Sequence, residues 1–123
     1  MSSIWNVSSD MAEDEKVTHF EKLIADSNVL AIFTADWCIA CQALEPIIWK
    51  IKKEIDIKDS RALRIIFLDV PNTPSVATHY KVSALPTLIL FINGLPVTRL
   101  SGTISEGKMR KRLQEHIQNI DIV

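Results

Sequence analysis

Long apolar runs are missing from this chain. The longest, VLAIF (29–33) and LILFI (88–92), fall far short of the roughly 20 residues that cross a bilayer. Membrane insertion is therefore not expected. Charge of one sign is missing too: 14 Lys+Arg against 15 Asp+Glu leave a net charge of −1. That balance removes any electrostatic reason to expect nucleic acid or an anionic membrane as the main partner. Only KMRKR (108–112) is locally basic, and in its helical setting it reads as a solvated face. The first sixteen residues, MSSIWNVSSDMAEDEK, lack both a basic n-region and an apolar h-region, so no signal peptide is expected in the chain as given. A cytoplasmic location is the default, and a periplasmic one the alternative if a signal peptide was removed. Cysteine is scarce: two residues in 123 make no disulfide scaffold and no four-thiolate zinc site. His19, His79 and His116 lie far from both cysteines in the sequence and read as surface residues, so no metal is expected.

What is present is enough apolar material, 47% of 123 residues, for one compact domain over 1–123 with its own core. No repeat, linker or low-complexity stretch interrupts it. Residues 4–7 read as a short edge strand. Ser9-Asp10 offers a helix cap, followed by Glu13, Asp14 and Glu15, where the helix dipole favours acids. Phe20, Leu23 and Ile24 take helical spacing, and Asn28 is expected to end that helix. VLAIFTA (29–35) reads as a central strand buried on both faces. A second helix is expected from Trp37-Cys38, with Ala43, Leu44, Ile47, Ile48, Ile51 and Ile55 in helical rhythm. Lys50, Lys52 and Lys53 would lie on its other side, with Pro46 inside it. RALRIIFLDV (61–70) reads as a third strand, and a short helix is expected near Thr73. Residues 87–93 and 96–100 read as two strands joined by an Asn93-Gly94 hairpin turn. Ser105 caps a last helix that turns Met109, Leu113, Ile117 and Ile120 inward. The order β-α-β-α-β-α-β-β-α needs parallel crossovers first and an antiparallel hairpin last. It predicts an α/β fold with a mixed central β-sheet and helices on both faces.

Both cysteines lie in TADWCIACQAL (34–44) as a Cys38-x-x-Cys41 pair. A metal clip, a structural staple or inert core pair, and a reactive dithiol are the available readings. At the junction of a strand and a helix the pair reads first as a redox motif.

ADWCIAC (35–41), Pro46, Tyr80-Lys81-Val82, LPTLILFING (85–94) and LSGTISEGK (100–108) occur in this order. With these motifs the chain resembles the thioredoxin family over roughly residues 4–118. The string ADWCIAC is also similar to the C-terminal domain of bacterial membrane-bound thiol:disulfide interchange reductases. The resemblance implies a thioredoxin fold and a thiol:disulfide oxidoreductase that reduces protein disulfides, with Cys38 as nucleophile and Cys41 as resolving thiol. It needs no cofactor beyond the Cys38–Cys41 disulfide. The helix N-terminus would lower the pKa of Cys38, while Cys41, one turn deeper, would stay buried and protonated. It further implies a cis Leu85-Pro86 bond opposite the cysteines, and a substrate surface of Trp37, Ile39, Ala40, Leu85, Pro86 and Gly102 with its neighbour Thr103. Its partners would be disulfide-containing proteins and, as electron donor, a thioredoxin reductase or membrane thiol reductase; a monomer is expected. The alternatives are a periplasmic thiol oxidoreductase or maturation factor, and a non-enzymatic thioredoxin-fold adaptor.

Three positions depart from the family pattern. Ile32 stands where a buried Asp is usual, Phe67 where its Lys neighbour is often found, and Thr34 where Trp is common. Losing the Asp and Lys as a unit is coherent, because losing one alone would strand a buried charge. Asp36 and Glu45 are then the nearby acids available to help Cys41 lose its proton. Ile39-Ala40 lacks the His that stabilises the first thiolate in oxidising relatives, which predicts a reducing couple.

Overall fold

A computed structural model describes residues 3–4 and 11–117 of the chain. Its elements are β1 (Ser3–Ile4), α1 (Glu13–Ile24), β2 (Asn28–Thr34), α2 (Ile39–Lys58), β3 (Arg64–Asp69), α3 (Pro74–His79), β4 (Thr87–Ile92), β5 (Leu95–Ser101) and α4 (Glu106–His116). The strands form one mixed sheet in the order β1-β3-β2-β4-β5. β1, β3 and β2 run parallel, and β4 and β5 are antiparallel.

β2 is central because its apolar run has a partner for both faces. Leu30 and Ile32 join a core with Leu44, Ile48, Ile51 and Ile55 of α2 and Met109 and Leu113 of α4. Val29, Ala31 and Phe33 join a second core with Phe20 and Ile24 of α1 and Val76 and Ala77 of α3. The period of two along the strand sends alternate residues to opposite layers. Each fully buried Leu, Ile or Phe contributes about 1.5–3 kcal/mol, so β2 is anchored from both layers.

Local chemistry fixes the ends of the elements. Ser105 caps α4, its hydroxyl accepting from the Lys108 N–H at 3.1 Å. Asn93 and Gly94 take φ of 50° and 84°, the left-handed pair that a tight hairpin turn requires. α1 follows Ala12 as its N-cap, with no side-chain cap hydrogen bond, and its first turn carries Glu13, Asp14 and Glu15. The Ser9-Asp10 cap, most of the edge strand at 4–7, and Ile120 lie outside the described residues.

Three expectations shift. α1 stops at Ile24, and Asn28 instead opens β2, its amide donating to the Ala62 carbonyl at 3.0 Å. β3 begins at Arg64 rather than 61 because a turn at Asp59 captures the Arg61 and Ala62 N–H groups first. Lys52 is not on the solvated side of α2: it is 3% exposed and ion-paired with Asp56 one turn on. Its long apolar stem makes that burial tolerable once the ammonium has a partner.

Arg110 of α4 ties the two helices of one layer together. It bonds Glu54 of α2 through both guanidinium arms, at 2.9 and 2.5 Å, and Glu106 at 2.9 Å. The Arg110 hydrogen bonds hold both carboxyls below their ordinary 4.5, Lys50 adding to the effect on each. A carboxyl depressed in the folded state stabilises above its unfolded value and loses that contribution as pH falls through the folded one. Arg110→Leu should therefore lower Tm at pH 7 and have a smaller effect at pH 3, as thermal melts followed by circular dichroism would show.

Candidate active site

The site lies at the C-terminal end of β2, where α/β folds place their chemistry. The Cys38 N–H donates to the Ala35 carbonyl at 3.0 Å, closing the turn that leaves the strand. Gln42 braces the same turn through its side chain, donating to the Asp36 carbonyl at 2.9 Å. Cys38 is the N-cap of α2 and Cys41 lies in its first turn, with Cα atoms 5.2 Å apart and the sulfurs joined as a disulfide. The Cys41 N–H donates to Cys38 Sγ at 3.2 Å. The first amide aimed at a sulfur in this helix thus points at Cys38, which favours negative charge there.

Burial does not separate the two cysteines. Cys38 is 7% exposed and Cys41 6%, against the expectation of one exposed and one covered thiol. In the disulfide the two residues are covered to a similar extent, and the Cys41 amide on Cys38 Sγ is the difference between them. Their neighbours do stand out: Trp37 is 72% and Ile39 80% exposed, large apolar side chains held in water on either side of Cys38.

The Leu85-Pro86 bond is cis. Pro86 is buried, and its carbonyl accepts from the Gly102 N–H at 3.0 Å. Gly102 has φ of 75° with nothing within 4 Å of where a Cβ would lie, so glycine is needed there for conformation and not for space. Ala40, Pro86 and Gly102 come together in one groove of about 170 Å³, completed by Ala43, Leu44, Ile47, Thr103 and Ile104. Leu85 is half-buried and leans the other way, packing on the core beneath α1 and α3. Of the groove, Ile104 was not anticipated from the sequence, and Ala43 and Ile47 were read only as part of the helical rhythm of α2; Ile47 packs on the core and lines the groove as well. The signal was present, since 40, 43, 44 and 47 form one helical stripe.

β2 and β3 place Ile32 directly opposite Phe67, with Leu88 on the other flank of Ile32. The two apolar departures from the family pattern are therefore neighbours. Trp49 of α2 packs its ring on Phe67 with centroids 5.6 Å apart. Thr34, the third departure, pairs with Asp69 at the cysteine end of the sheet. Burial pushes the Asp69 carboxyl up, and the like charge of Asp36 adds to this. Asp36 and Glu45 are both exposed. Among the described residues no group of three or more His, Cys, Asp or Glu could hold a metal ion. No helix among them is long and apolar enough to cross a membrane.

The thioredoxin family model matches residues 11–115. A thioredoxin-like protein from Synechocystis sp. is 31% identical over 106 residues, covering 85% of this chain and 97% of that protein. A chloroplastic thioredoxin of the Y type from Arabidopsis thaliana is 30% identical over 109 residues. That match covers 87% of this chain, which spans only 61% of the chloroplastic protein's length. Among solved structures, a mutant thioredoxin from Halobacterium salinarum NRC-1 superposes with a TM-score of 0.70 at 25% identity. It covers 99% of this chain and 93% of that one. Strand order, a Cys38–Cys41 disulfide at the start of α2, a cis proline entering β4 and these likenesses converge: the chain belongs to the thioredoxin family.

Proposed function

We propose that the protein is a thiol:disulfide oxidoreductase that reduces protein disulfides. The observation that carries the reading is the Cys38–Cys41 disulfide at the start of α2, with the Cys41 amide donating to Cys38 Sγ. In the reduced protein that amide favours thiolate at Cys38, which attacks one sulfur of a substrate disulfide. The substrate S–S bond breaks, a mixed disulfide forms on Cys38, and the departing sulfur takes up a proton. Cys41, once deprotonated, attacks Cys38 Sγ and releases the second substrate thiol. Two electrons have then passed to the substrate, and the Cys38–Cys41 disulfide remains.

The docking surface combines exposed Trp37 and Ile39 with the groove of Ala40, Pro86 and Gly102. At about 170 Å³ that groove falls below the ~300–1,000 Å³ typical of small-molecule sites. It suits one or two side chains of an extended peptide, which the backbone at Leu85 could pair as a short added strand. In this reading the single domain acts as a monomer in the cytoplasm, and a thioredoxin reductase restores the dithiol.

Insulin reduction with dithiothreitol as electron source tests the activity: faster precipitation of the released B chain is expected. A titration against glutathione tests its direction. The couple should fall near the about −270 mV of thioredoxin rather than the about −120 mV of a strong oxidant. Inert thiols in the first assay, or an oxidising couple in the second, count against the proposal.

A further inference from the structure

We propose that Arg99, on the outer strand β5, is a positioning residue for the substrate-binding loop. This inference rests on the reading of residues 80–86 as the segment that carries the peptide-pairing backbone into cis Pro86. α3 ends in a left-handed cap: the Val82 N–H donates to the Ala77 carbonyl at 2.8 Å and the Lys81 N–H to the Thr78 carbonyl at 3.0 Å. The left-handed residue is Lys81, with φ of 56°, at a position where glycine is the usual occupant. The cap satisfies those amides but uses neither the Tyr80 nor the Lys81 carbonyl. Arg99 takes both, one arm of its guanidinium donating to Lys81 O at 3.1 Å and the other to Tyr80 O. A planar fork is suited to span two successive carbonyls, and an ammonium is not.

The grip continues along the same strand. Gly102, just beyond β5, donates to the Pro86 carbonyl at 3.0 Å. Thr87, entering β4, donates its hydroxyl back to Ala84 O at 2.6 Å. β5 and its end therefore hold the loop at entry and exit, and β4 braces its middle. Arg99 is 18 and 19 residues from the carbonyls it binds and has no part in the chemistry at sulfur. Its removal should loosen the approach to Leu85 without altering Cys38.

The full chain carrying Arg99→Leu should raise KM for insulin about fivefold, the scale of one ordering hydrogen bond, with kcat within about twofold of wild type. Its Cys38 alkylation rate and its potential should match wild type. Arg99→Leu combined with Lys81→Gly should recover most of the KM, because glycine holds the left-handed turn without the clamp. Arg99→Lys, which keeps the charge but loses the fork, should lie between. An unchanged KM in Arg99→Leu overturns the proposal, as does a potential that moves with KM. Should Arg99→Leu not fold, a wild-type KM in Arg99→Lys overturns it equally. Wild-type protein inert toward insulin would instead defeat the proposed activity itself, a separable result.

Discussion

Cys38→Ser should reduce insulin reduction to the uncatalysed rate, while Cys41→Ala should stop the reaction one step later with substrate bound to Cys38. The asymmetry follows from the order of events. Without Cys38 no thiolate lies at the helix start and no S–S bond forms or breaks. Without Cys41 the first exchange proceeds, but nothing attacks Cys38 Sγ to release the product. Non-reducing gels should show stable mixed disulfides for Cys41→Ala and none for Cys38→Ser. A protein serving only as a binding adaptor would behave differently: either substitution would leave partner capture unchanged, and no covalent adduct would accumulate.

Ile32→Asp should cost about 3–5 kcal/mol of stability, the penalty for a buried charge without a partner. Ile32 is 2% exposed, flanked in the sheet by Phe67 and Leu88. Burial would raise the pKa of the new carboxyl, so the folded state would hold a proton that the unfolded state has lost. The deficit is then smallest in acid and grows as pH rises past the ordinary carboxylate range. Adding Phe67→Lys, directly across the ladder, should recover a substantial part of it, and urea titrations in a double-mutant cycle measure that coupling. The same pair bears on catalysis. The wild-type protein has an apolar Ile32, Phe67 and Trp49 cluster where the family pattern would place a buried Asp, so Cys41 is expected to lose its proton to Cys38, water or a rim acid. Ile32→Asp with Phe67→Lys should speed resolution of the mixed disulfide, by up to about 10²-fold at neutral pH, the low end of general-base catalysis. An unchanged single-turnover rate would show that proton removal from Cys41 does not limit the reaction.

The features legible in the sequence are those set by local chemistry or by repeated pattern. The run at 29–33 announced a strand covered on both sides, and the two cores divide its residues alternately. Asn93-Gly94 and the Ser105 cap are likewise as their residue types imply, and the cis bond before Pro86 is as the family resemblance implied. The inferred match of Ile32 with Phe67 is realised as a cross-strand pair. What escaped depends on distant neighbours. Helical spacing counts lysine as polar, yet Lys52 is buried by its surroundings and carried there by Asp56. The stripe through Ala43 and Ile47 continues past the core into the groove, and periodicity cannot tell where cover ends. Asn28 is drawn into β2 by Ala62, and Arg99 finds its carbonyls only once β5 lies beside the end of α3. The similar burial of the two cysteine residues was also hidden, because the expectation rested on Cys41 lying one helical turn deeper, whereas in the disulfide both residues are covered.

The helix amide at Cys38 Sγ is what makes Cys38 the nucleophile. Limiting iodoacetamide added to the fully reduced protein across pH 5–10, with the modified cysteine mapped by mass spectrometry, separates the two thiols. Cys38 should be alkylated first and react with an apparent pKa below the about 8.5 of a free thiol, with Cys41 modified only at higher pH. Alkylation of Cys41 first, or of both thiols together near pH 8.5, would contradict it.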